Sequence, residues 1–293
     1  MKVNIKLGKY VIAVSGGVDS IVLLNLLSKQ LNIELIVAHF DHGIRNDSQE
    51  DRRFVQTLSK KYGLQFEFTN GNLGKGVSEN IARKARYEFL NKVVVKHGCD
   101  GIITAHHQDD VLETIIMNLL RGTYRKGLSS LTSNDEVIRP MLGIPKSDIL
   151  NYANKNKLIW HEDSTNLSTD YFRNWVRHKI VPKLSSSQRQ HLLNIQAKSQ
   201  HLNIEVDSIL DKFIGKDYSL SRKAVIMLPH SLAKELIAHW LRRNGIADFD
   251  SVMVEKLVID AKTFAAGKKT SIKKNAYALY SKKDIVIKQN KSN

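Results

Sequence analysis

The chain has 293 residues, of which 42% are hydrophobic, and carries 45 Lys and Arg against 29 Asp and Glu, a formal charge of +16. The length and apolar content exclude a disordered chain and predict one large domain with a smaller one. The single cysteine, Cys99, excludes an internal disulfide and a Cys-X-X-Cys site, and no apolar run approaches about 20 residues, so we expect a cytoplasmic protein with no membrane span.

Strands and helices alternate along the first half of the chain. Strands are predicted at 10–14, 34–40, 64–68, 101–105 and 137–139. Helices are predicted at 19–31, 46–62, 78–97, 109–121 and 147–156, the last capped by Ser147. Because these lengths suit crossovers between parallel strands, the pattern predicts an α/β fold with a doubly wound, mostly parallel sheet. Ligands bind such sheets beyond the carboxyl ends of the strands.

The first loop at that edge is Ser-Gly-Gly-Val-Asp-Ser, residues Ser15–Ser20. Gly16 and Gly17 allow a tight turn and the close approach of a ligand to the backbone. Asp19 and Ser20 are predicted to cap the helix that follows, and its free N–H groups would bind an anion, phosphate above all. The Lys-Ser/Thr ending of a P-loop is missing. The alternative is an ordinary turn between a strand and a helix.

Polar side chains also follow the second and fourth strands, in His39–Arg45 and Ala105–Asp110. Asp110 and Glu113 are three residues apart and share a helix face, with His106 one turn earlier. Such a group could orient an amine, accept a proton or hold a metal, although the spacing is not that of a His-Glu-X-X-His hydrolase. The alternative is a helix start rich in carboxylates because the helix dipole favours them.

Two basic stretches are further candidates. Arg83 and Arg86 lie on one predicted helix face, where a guanidinium can bind two oxygens of a carboxylate or phosphate, or where both are simply solvated. Residues 172–182 predict a short helix with Arg and Lys around Trp175, a composition suited to RNA. A helix that joins two domains, with a core tryptophan, is slightly favoured instead. Gly71–Gly76 is predicted to be a flexible connection, with a mobile flap as the alternative.

The serines at 185–187 are predicted to mark a boundary, which gives a domain at 1–184 and a second at 185–293. The second domain is predicted to be mainly helical and to end in short strands that include a β-hairpin. Residues 183–293 carry 20 Lys and Arg against 10 Asp and Glu. This charge favours a polyanion such as tRNA or DNA as partner, while a lysine-rich proteome is the alternative explanation.

Taken together, these stretches resemble the tRNA(Ile)-lysidine synthetase family of the N-type ATP pyrophosphatases. Ser15–Ser20 is similar to the family's pyrophosphate loop, and the other family blocks follow in order over about the first 185 residues. These are His39–Arg45, Arg83–Tyr87, Ala105–Thr114 with Leu120–Gly122, Arg139–Leu142, Asp163–Asn166 and Arg173–Pro182. Many pyrophosphatases share the loop alone, whereas the full series is specific.

The resemblance implies an enzyme that uses ATP and Mg²⁺ on a tRNA(Ile) with the anticodon CAU. It would adenylate the C2 oxygen of the first anticodon cytidine and release pyrophosphate. The ε-amine of free L-lysine would then displace AMP and leave lysidine, so that the tRNA reads AUA rather than AUG. About 110 residues follow Pro182, fewer than in many members, and we expect this basic part to bind the acceptor stem or body of the tRNA.

The resemblance also implies the site residues. The residues implied to bind ATP are Ser15, Gly16, Gly17, Val18, Asp19 and Ser20. The residues implied to act in catalysis are Asp19, Arg86, His106, Asp110 and Glu113. Of these, Asp19 would help to hold Mg²⁺ or the α-phosphate, Arg86 would pair with the lysine carboxylate, and the two later carboxylates would lie near the lysine amino groups. The oligomeric state stays open between a monomer and a homodimer.

Three alternatives remain at this stage. A tRNA thiolase of the same superfamily would need thiolate ligands or a persulfide carrier, for which Cys99 is a poor candidate. A small-molecule amidating synthetase would need an ammonia source. A non-catalytic RNA-binding protein could retain the loop as a relic, but the full set of implied catalytic residues argues against it.

Overall fold

The computed structural model describes residues 1–43, 48–74, 77–123, 125–129, 131–161, 172–246, 248–273 and 275–289. The chain divides into two compact units, Met1–Ser199 and Gln200–Asn293. Among the helices of these ranges, none has the length and apolar character needed to span a bilayer.

The first unit contains five strands and most of the helices. The strands are β1 (Gly8–Ala13), β2 (Ile33–Asp41), β3 (Gln65–Asn70), β4 (Gly101–Ile103) and β5 (Val137–Ile138). The α-helices are α1 (Val18–Leu27), α2 (Ser48–Lys61), α3 (Glu79–His97), α4 (Gln108–Leu120), α5 (Arg125–Leu128), α6 (Lys146–Lys155) and α7 (Phe172–Trp175). A π-helix (Val176–Ile180), a 3₁₀-helix (Val181–Lys183) and α8 (Ser186–Asp211) follow, and the division between the units falls inside α8.

The five strands form one sheet in the order β3-β2-β1-β4-β5, and every neighbouring pair is parallel. Side chains alternate between its two faces, so Ile12 packs with α1 and α2 while Val11 packs with α3. Both are fully buried, as expected for a parallel sheet covered by helices on both sides. The predicted doubly wound α/β fold is confirmed.

Register brings the carboxyl ends of the central strands together. Ala13 of β1 lies opposite Ala38 of β2, and Ile12 lies opposite Ile103 of β4. The buried ring of His39 links two of these ends, since its Nδ1 contacts the Val14 carbonyl oxygen at 2.9 Å. The loops after β1, β2 and β4 therefore begin side by side.

The second unit is helical and ends in an antiparallel sheet, as predicted. Its elements after α8 are β6 (Leu220–Ser221), α9 (Arg222–Met227), α10 (His230–Arg243), α11 (Ser251–Thr263), β7 (Lys269–Lys273), β8 (Ala276–Tyr280) and β9 (Asp284–Gln289). The strand order is β6-β9-β8-β7, so the predicted hairpin is part of a four-stranded sheet. Trp240 and Tyr280 are fully buried in a core of their own.

One predicted helix cap is wrong. Helix α6 begins at Lys146 with Pro145 as its N-cap, so Ser147 lies inside the first turn rather than before it. Proline lacks a side-chain acceptor, and no side-chain hydrogen bond caps this helix. Because α6 begins at Lys146, the side chain of this lysine lies beside the loop that follows β1.

Candidate active site

The loop Ser15–Ser20 is held by hydrogen bonds among its own residues. Ser20 Oγ donates to the Gly17 carbonyl oxygen over 2.9 Å and accepts from the Ser15 amide over 3.2 Å. Gly16 has φ +99°, a conformation that other residues adopt only with strain. Helix α1 begins at Val18 with Gly17 as its N-cap, and no side chain caps it. The first-turn amides of α1 can therefore bind an anion.

The prediction that Asp19 and Ser20 cap α1 is wrong, because both residues lie within its first turn. Asp19 instead points its carboxylate at Lys146 and His107. Lys146 Nζ lies 2.5 Å from Asp19 Oδ1, and His107 Nε2 lies 3.6 Å from Oδ2. Burial raises the pKa of Asp19, but His107 and Lys146 together outweigh it and bring the pKa down to about 2. Asp19 is therefore ionised at neutral pH.

His107 connects the loop to the start of α4. It is the N-cap of this helix, with Nδ1 accepting from the Asp109 amide over 3.2 Å and its own amide donating to Asp110 Oδ2 over 2.9 Å. Its Nε2 stands 3.6 Å from carboxylates of both Asp19 and Asp110. Burial lowers the pKa of His107, yet these two carboxylates outweigh burial and raise it above the ordinary value.

Asp110 and Glu113 lie on one face of α4 and contact the same two arginines. Arg173 Nε donates to Glu113 Oε2 over 2.9 Å, and Arg177 Nε donates to Oε1 over 2.6 Å. Each guanidinium also reaches Asp110 Oδ1, at 3.2 and 3.5 Å. Glu113 is only 1% exposed, so the two guanidinium groups replace water as the partners of its carboxylate oxygens. A cationic amine that binds these two carboxylates would take the place of the guanidinium groups that now contact them.

His106 follows β4, and its Nδ1 lies 2.8 Å from Thr104 Oγ1. Burial lowers the pKa of His106 to about 3, and the charges of Arg86 and Arg139 act in the same direction, while Asp110 opposes them. The ring is therefore neutral at pH 7. It has a lone pair to accept a proton, but in this positive field it holds a proton weakly.

Arg86 lies in the middle of α3 beside Tyr87, with its guanidinium 5.5 Å from the centre of that ring. Its buried Nε has no hydrogen-bond partner among the described residues. Burial lowers the pKa of Arg86, and the like charges of Arg83 and Arg173 add to the effect. A bound carboxylate or phosphate would stabilise this cation.

A cleft of about 530 Å³ lies against these arginines. It is lined by residues of α3, by the C-terminal half of α4 and by the segment that leads into β5. Four arginines contribute to its walls, namely Arg83, Arg121, Arg139 and Arg173. Such a positive lining suits an anionic ligand or a nucleotide.

The described residues contain no group of three or more His, Cys, Asp or Glu arranged to enclose a metal ion. Mg²⁺ needs no such group, because it is often held by one or two carboxylates together with substrate phosphates and water. Asp19, ionised and within the anion-binding loop, fits the part of a single protein ligand to such an ion.

Not every predicted segment belongs to this cluster. Ile44 and Arg45 of the second block, Asp163–Asn166, and Lys75 with Gly76 of the glycine-rich loop lie outside the described residues. The proposal of a core tryptophan at Trp175 is wrong, since this residue is 40% exposed.

The main site residues that sequence reasoning missed are Lys146 and His107. His107 stands inside the Ala105–Thr114 block and is the N-cap of α4, but histidine is not among the residues preferred at that position, so the sequence does not single it out. No sequence signal marks Lys146, because only the fold brings it to Asp19, 127 positions earlier. Arg173 and Arg177 lie in the stretch whose composition suits RNA, and their spacing of four on one helix face also suits a pair of carboxylates.

Comparison with known proteins gives consistent matches. Residues 2–184 match the family model of the PP-loop domain. The chain is similar to the tRNA(Ile)-lysidine synthase of Thermotoga maritima, with 35% identity over 249 residues, 80% of this chain and 60% of that protein. The tRNA(Ile)-lysidine synthase of Clostridium tetani is 30% identical over 303 residues, 95% of this chain and 65% of that protein. The chain thus spans less than two thirds of the length of these relatives.

A solved structure shares the fold. It is the U34-tRNA thiolase of Methanococcus maripaludis with its [4Fe-4S] cluster, which matches with a TM-score of 0.57 and 21% sequence identity. The match covers 68% of this chain and 73% of that one.

Proposed function

The chain belongs to the PP-loop domain family, and we propose that it is a tRNA(Ile)-lysidine synthase. In this proposal the C2 oxygen of the first anticodon cytidine attacks the α-phosphorus of ATP, and the bond to pyrophosphate breaks. The ε-nitrogen of free L-lysine then attacks C2, the bond from C2 to the oxygen of AMP breaks, and the amine loses a proton. The product is lysidine in a tRNA(Ile) whose anticodon was CAU.

One observation carries the proposal. Asp19 in the anion-binding loop, His107 and Asp110 form a continuous chain of ionisable side chains, in which both carboxylates lie 3.6 Å from Nε2 of the histidine ring. Glu113 extends this chain through the two arginines that it shares with Asp110. This arrangement supports a proposed phosphate site next to a proposed amine site, as a reaction between an adenylate and an amine requires.

The loop Ser15–Ser20 would hold the phosphates of ATP through the first amides of α1. Lys146 stands beside Asp19 and could contact a phosphate oxygen or the leaving pyrophosphate, where a cation stabilises the developing negative charge. Asp19 would be the protein ligand of a Mg²⁺ ion that supplies further charge neutralisation when bound.

The lysine substrate would bind by both of its ends. Its carboxylate fits Arg86, whose buried guanidinium has an unused donor among the described residues. Its amino groups fit Asp110 and Glu113. Bound anions would also offset the positive field on His106, raise the pKa of that ring and make it a better acceptor for the proton that the amine loses.

A thiolase function is less well supported, although a thiolase shares the fold. An iron–sulfur cluster takes several Cys thiolates as ligands, and this chain has one cysteine. Burial raises the pKa of the Cys99 thiol, which disfavours the reactive thiolate.

The exchange of labelled pyrophosphate into ATP tests the first half of the reaction. Because the base is the group that is adenylated, we expect exchange to depend on the CAU-anticodon isoleucine tRNA and to proceed without lysine. Exchange that needs lysine but no tRNA would indicate an amino-acid adenylate and would reject the proposal. Binding of the tRNA with no exchange would support a non-catalytic RNA-binding protein.

A further inference from the structure

Two large aromatic side chains are exposed next to the arginine-lined cleft. Phe172 and Trp175 are 39% and 40% exposed, and their rings stack with centroids 5.9 Å apart and planes 13° from parallel. They belong to the short helix α7, which leads into the π-helix.

Phe172 and Trp175 do not belong to the hydrophobic core of the unit. The same stretch of chain anchors itself through Val176 and Val181, which are buried against Leu112, Ile116 and Met117 of α4. Single exposed apolar residues are common, but a stacked aromatic pair left in solvent indicates a surface that binds something.

The surroundings of the pair are cationic. The guanidinium of Arg121 lies over the Phe172 ring, 5.5 Å from its centre. Arg121 and Arg173, the residue that follows Phe172, also line the cleft. Aromatic rings combined with arginine are the chemistry with which proteins bind unpaired nucleotides, because every base has a π-face and every nucleotide carries a backbone phosphate.

Position along α4 indicates which base is involved. Arg121 follows Glu113 by eight residues, which is about 12 Å along a helix axis. Phe172 lies against Arg121 at that end of α4, so a base stacked on it is displaced along α4 from Glu113, and we assign it to a neighbouring nucleotide of the same loop rather than to the reacting base.

We propose that Phe172 and Trp175 form a stacking platform for an unpaired base adjacent to the target cytidine in the RNA loop. The proposal rests on the proposed tRNA substrate and adds two positioning residues to it. The platform would fix the register of the loop, so that one cytidine and not its neighbours enters the site.

The test uses an RNA hairpin whose loop contains CAU, with 2-aminopurine in turn at each nucleotide next to the cytidine. With the wild-type protein we expect stacking to quench the fluorescence at one of these positions. Because stacking of a base contributes about 1–3 kcal/mol, we expect Trp175→Ala to abolish this quenching and to weaken hairpin binding at least about fivefold. Trp175→Phe retains a π-face and should restore most of the affinity.

Phe68→Ala is the matched control. Phe68 is 46% exposed, stacks on Phe66 and carries Arg52 over its ring at 4.7 Å, but it lies on the edge strand β3, away from the cleft. This variant should bind the hairpin like the wild type. ATP binding should be unchanged in every variant, because none of them touches Ser15–Ser20.

The outcomes separate the two proposals. If the wild type binds and modifies the RNA but Trp175→Ala and Phe172→Ala do so equally well, the platform is wrong and the proposed function stands. An equal loss with Phe68→Ala would also overturn the platform, since the effect would then not be local. If the wild type neither binds nor modifies the RNA, both proposals fail.

Discussion

Two adjacent histidines have opposite electrostatic environments. The pKa of His106 falls to about 3 because burial and neighbouring arginines disfavour its cation. The pKa of His107 rises because Asp19 and Asp110 outweigh the effect of burial. The His106 ring thus faces the arginine-rich part of the site, and the His107 ring faces the carboxylate-rich part.

The pH dependence of stability follows from these shifts. Below pH 6.5 the unfolded chain protonates His106 and the folded chain does not, so stability falls as the pH drops. His107 acts in the opposite sense, since its contribution is complete below pH 6.5 and is lost as the pH rises through its raised pKa. We expect His106→Gln to remove the first effect, which amounts to about 2 kcal/mol at pH 5. Urea denaturation between pH 7.5 and 5 measures it.

The control for this experiment is His201→Gln, because that side chain is 81% exposed. It should follow the wild-type curve. A His106→Gln curve parallel to that of the wild type over the whole range would show that His106 protonates normally in the folded chain.

The two loop glycines have different functions. Gly16 has φ +99°, and a Cβ there would meet its nearest atoms only at 3.8–3.9 Å, so the cost of Gly16→Ala is backbone strain of roughly 1–3 kcal/mol.

Gly17 has φ −74°, which any residue adopts. We expect Gly17→Ala to leave stability within about 0.5 kcal/mol but to weaken ATP binding, because its methyl group would obstruct the bound phosphate. Calorimetry of ATP binding and urea denaturation separate these effects, and unchanged binding by Gly17→Ala would contradict close approach at this residue.

At the scale of elements, α4 and the helical segment from Phe172 to Lys183 form one structural pair. Their apolar faces meet through Leu112, Ile116 and Val176. Their charged faces meet through the two arginines and the acidic pair of α4. The packing and the ion pairs together hold the carboxylates in place.

Removing one carboxylate charge from the acidic pair of α4 should therefore destabilise the folded protein. We expect Glu113→Gln to lower the free energy of unfolding by about 2 kcal/mol or more, because Arg173 and Arg177 would lose their most buried partner. Glu67→Gln is the control, since Glu67 pairs with the exposed Lys96 and should cost no more than about 1 kcal/mol. Equal costs for the two variants would show that the buried pairs do not stabilise the α4 contact.

The sequence predicted most elements but not their contacts. The long helices, the five parallel strands and the terminal strands follow from apolar periodicity and glycine stops such as Gly98, which has φ +60° after α3. Strand β6 is not predictable because two residues carry no periodic pattern, and the π-helix is not predictable because its backbone pattern depends on packing against α4. The cation beside Asp19 could not be predicted, since Lys146 reaches it only through the tertiary fold.

At the scale of the whole molecule, positive charge is concentrated near the C-terminus. Residues 262–291 contain nine lysines and one acidic residue, Asp284. Lys282 and Lys283 form the turn between β8 and β9 and, with Lys223, line a cleft of about 540 Å³ in the second unit. We propose that this part binds the phosphate backbone of tRNA at a distance from the anticodon.

A charge-removal experiment tests that role. Lys282→Gln combined with Lys283→Gln should weaken the binding of full-length tRNA. The slope of log K against log salt concentration should decrease by the equivalent of up to about two phosphate contacts. Binding of the anticodon hairpin alone should not change. Lys60→Gln with Lys61→Gln, an exposed lysine pair at the end of α2, is the matched control. A loss of hairpin binding in the Lys282 and Lys283 variant would contradict this division of roles.

The most direct test of the central claim is the incorporation of labelled L-lysine into RNA. The protein is incubated with ATP, labelled lysine and, separately, isoleucine and methionine tRNAs with the anticodon CAU, and the modified nucleotide is then mapped. We expect label only in the isoleucine tRNA, at the first anticodon base, with one AMP and one pyrophosphate released for each lysine incorporated, and no label with Asp110→Ala. Absence of label from every tRNA, or label at another position, would contradict it.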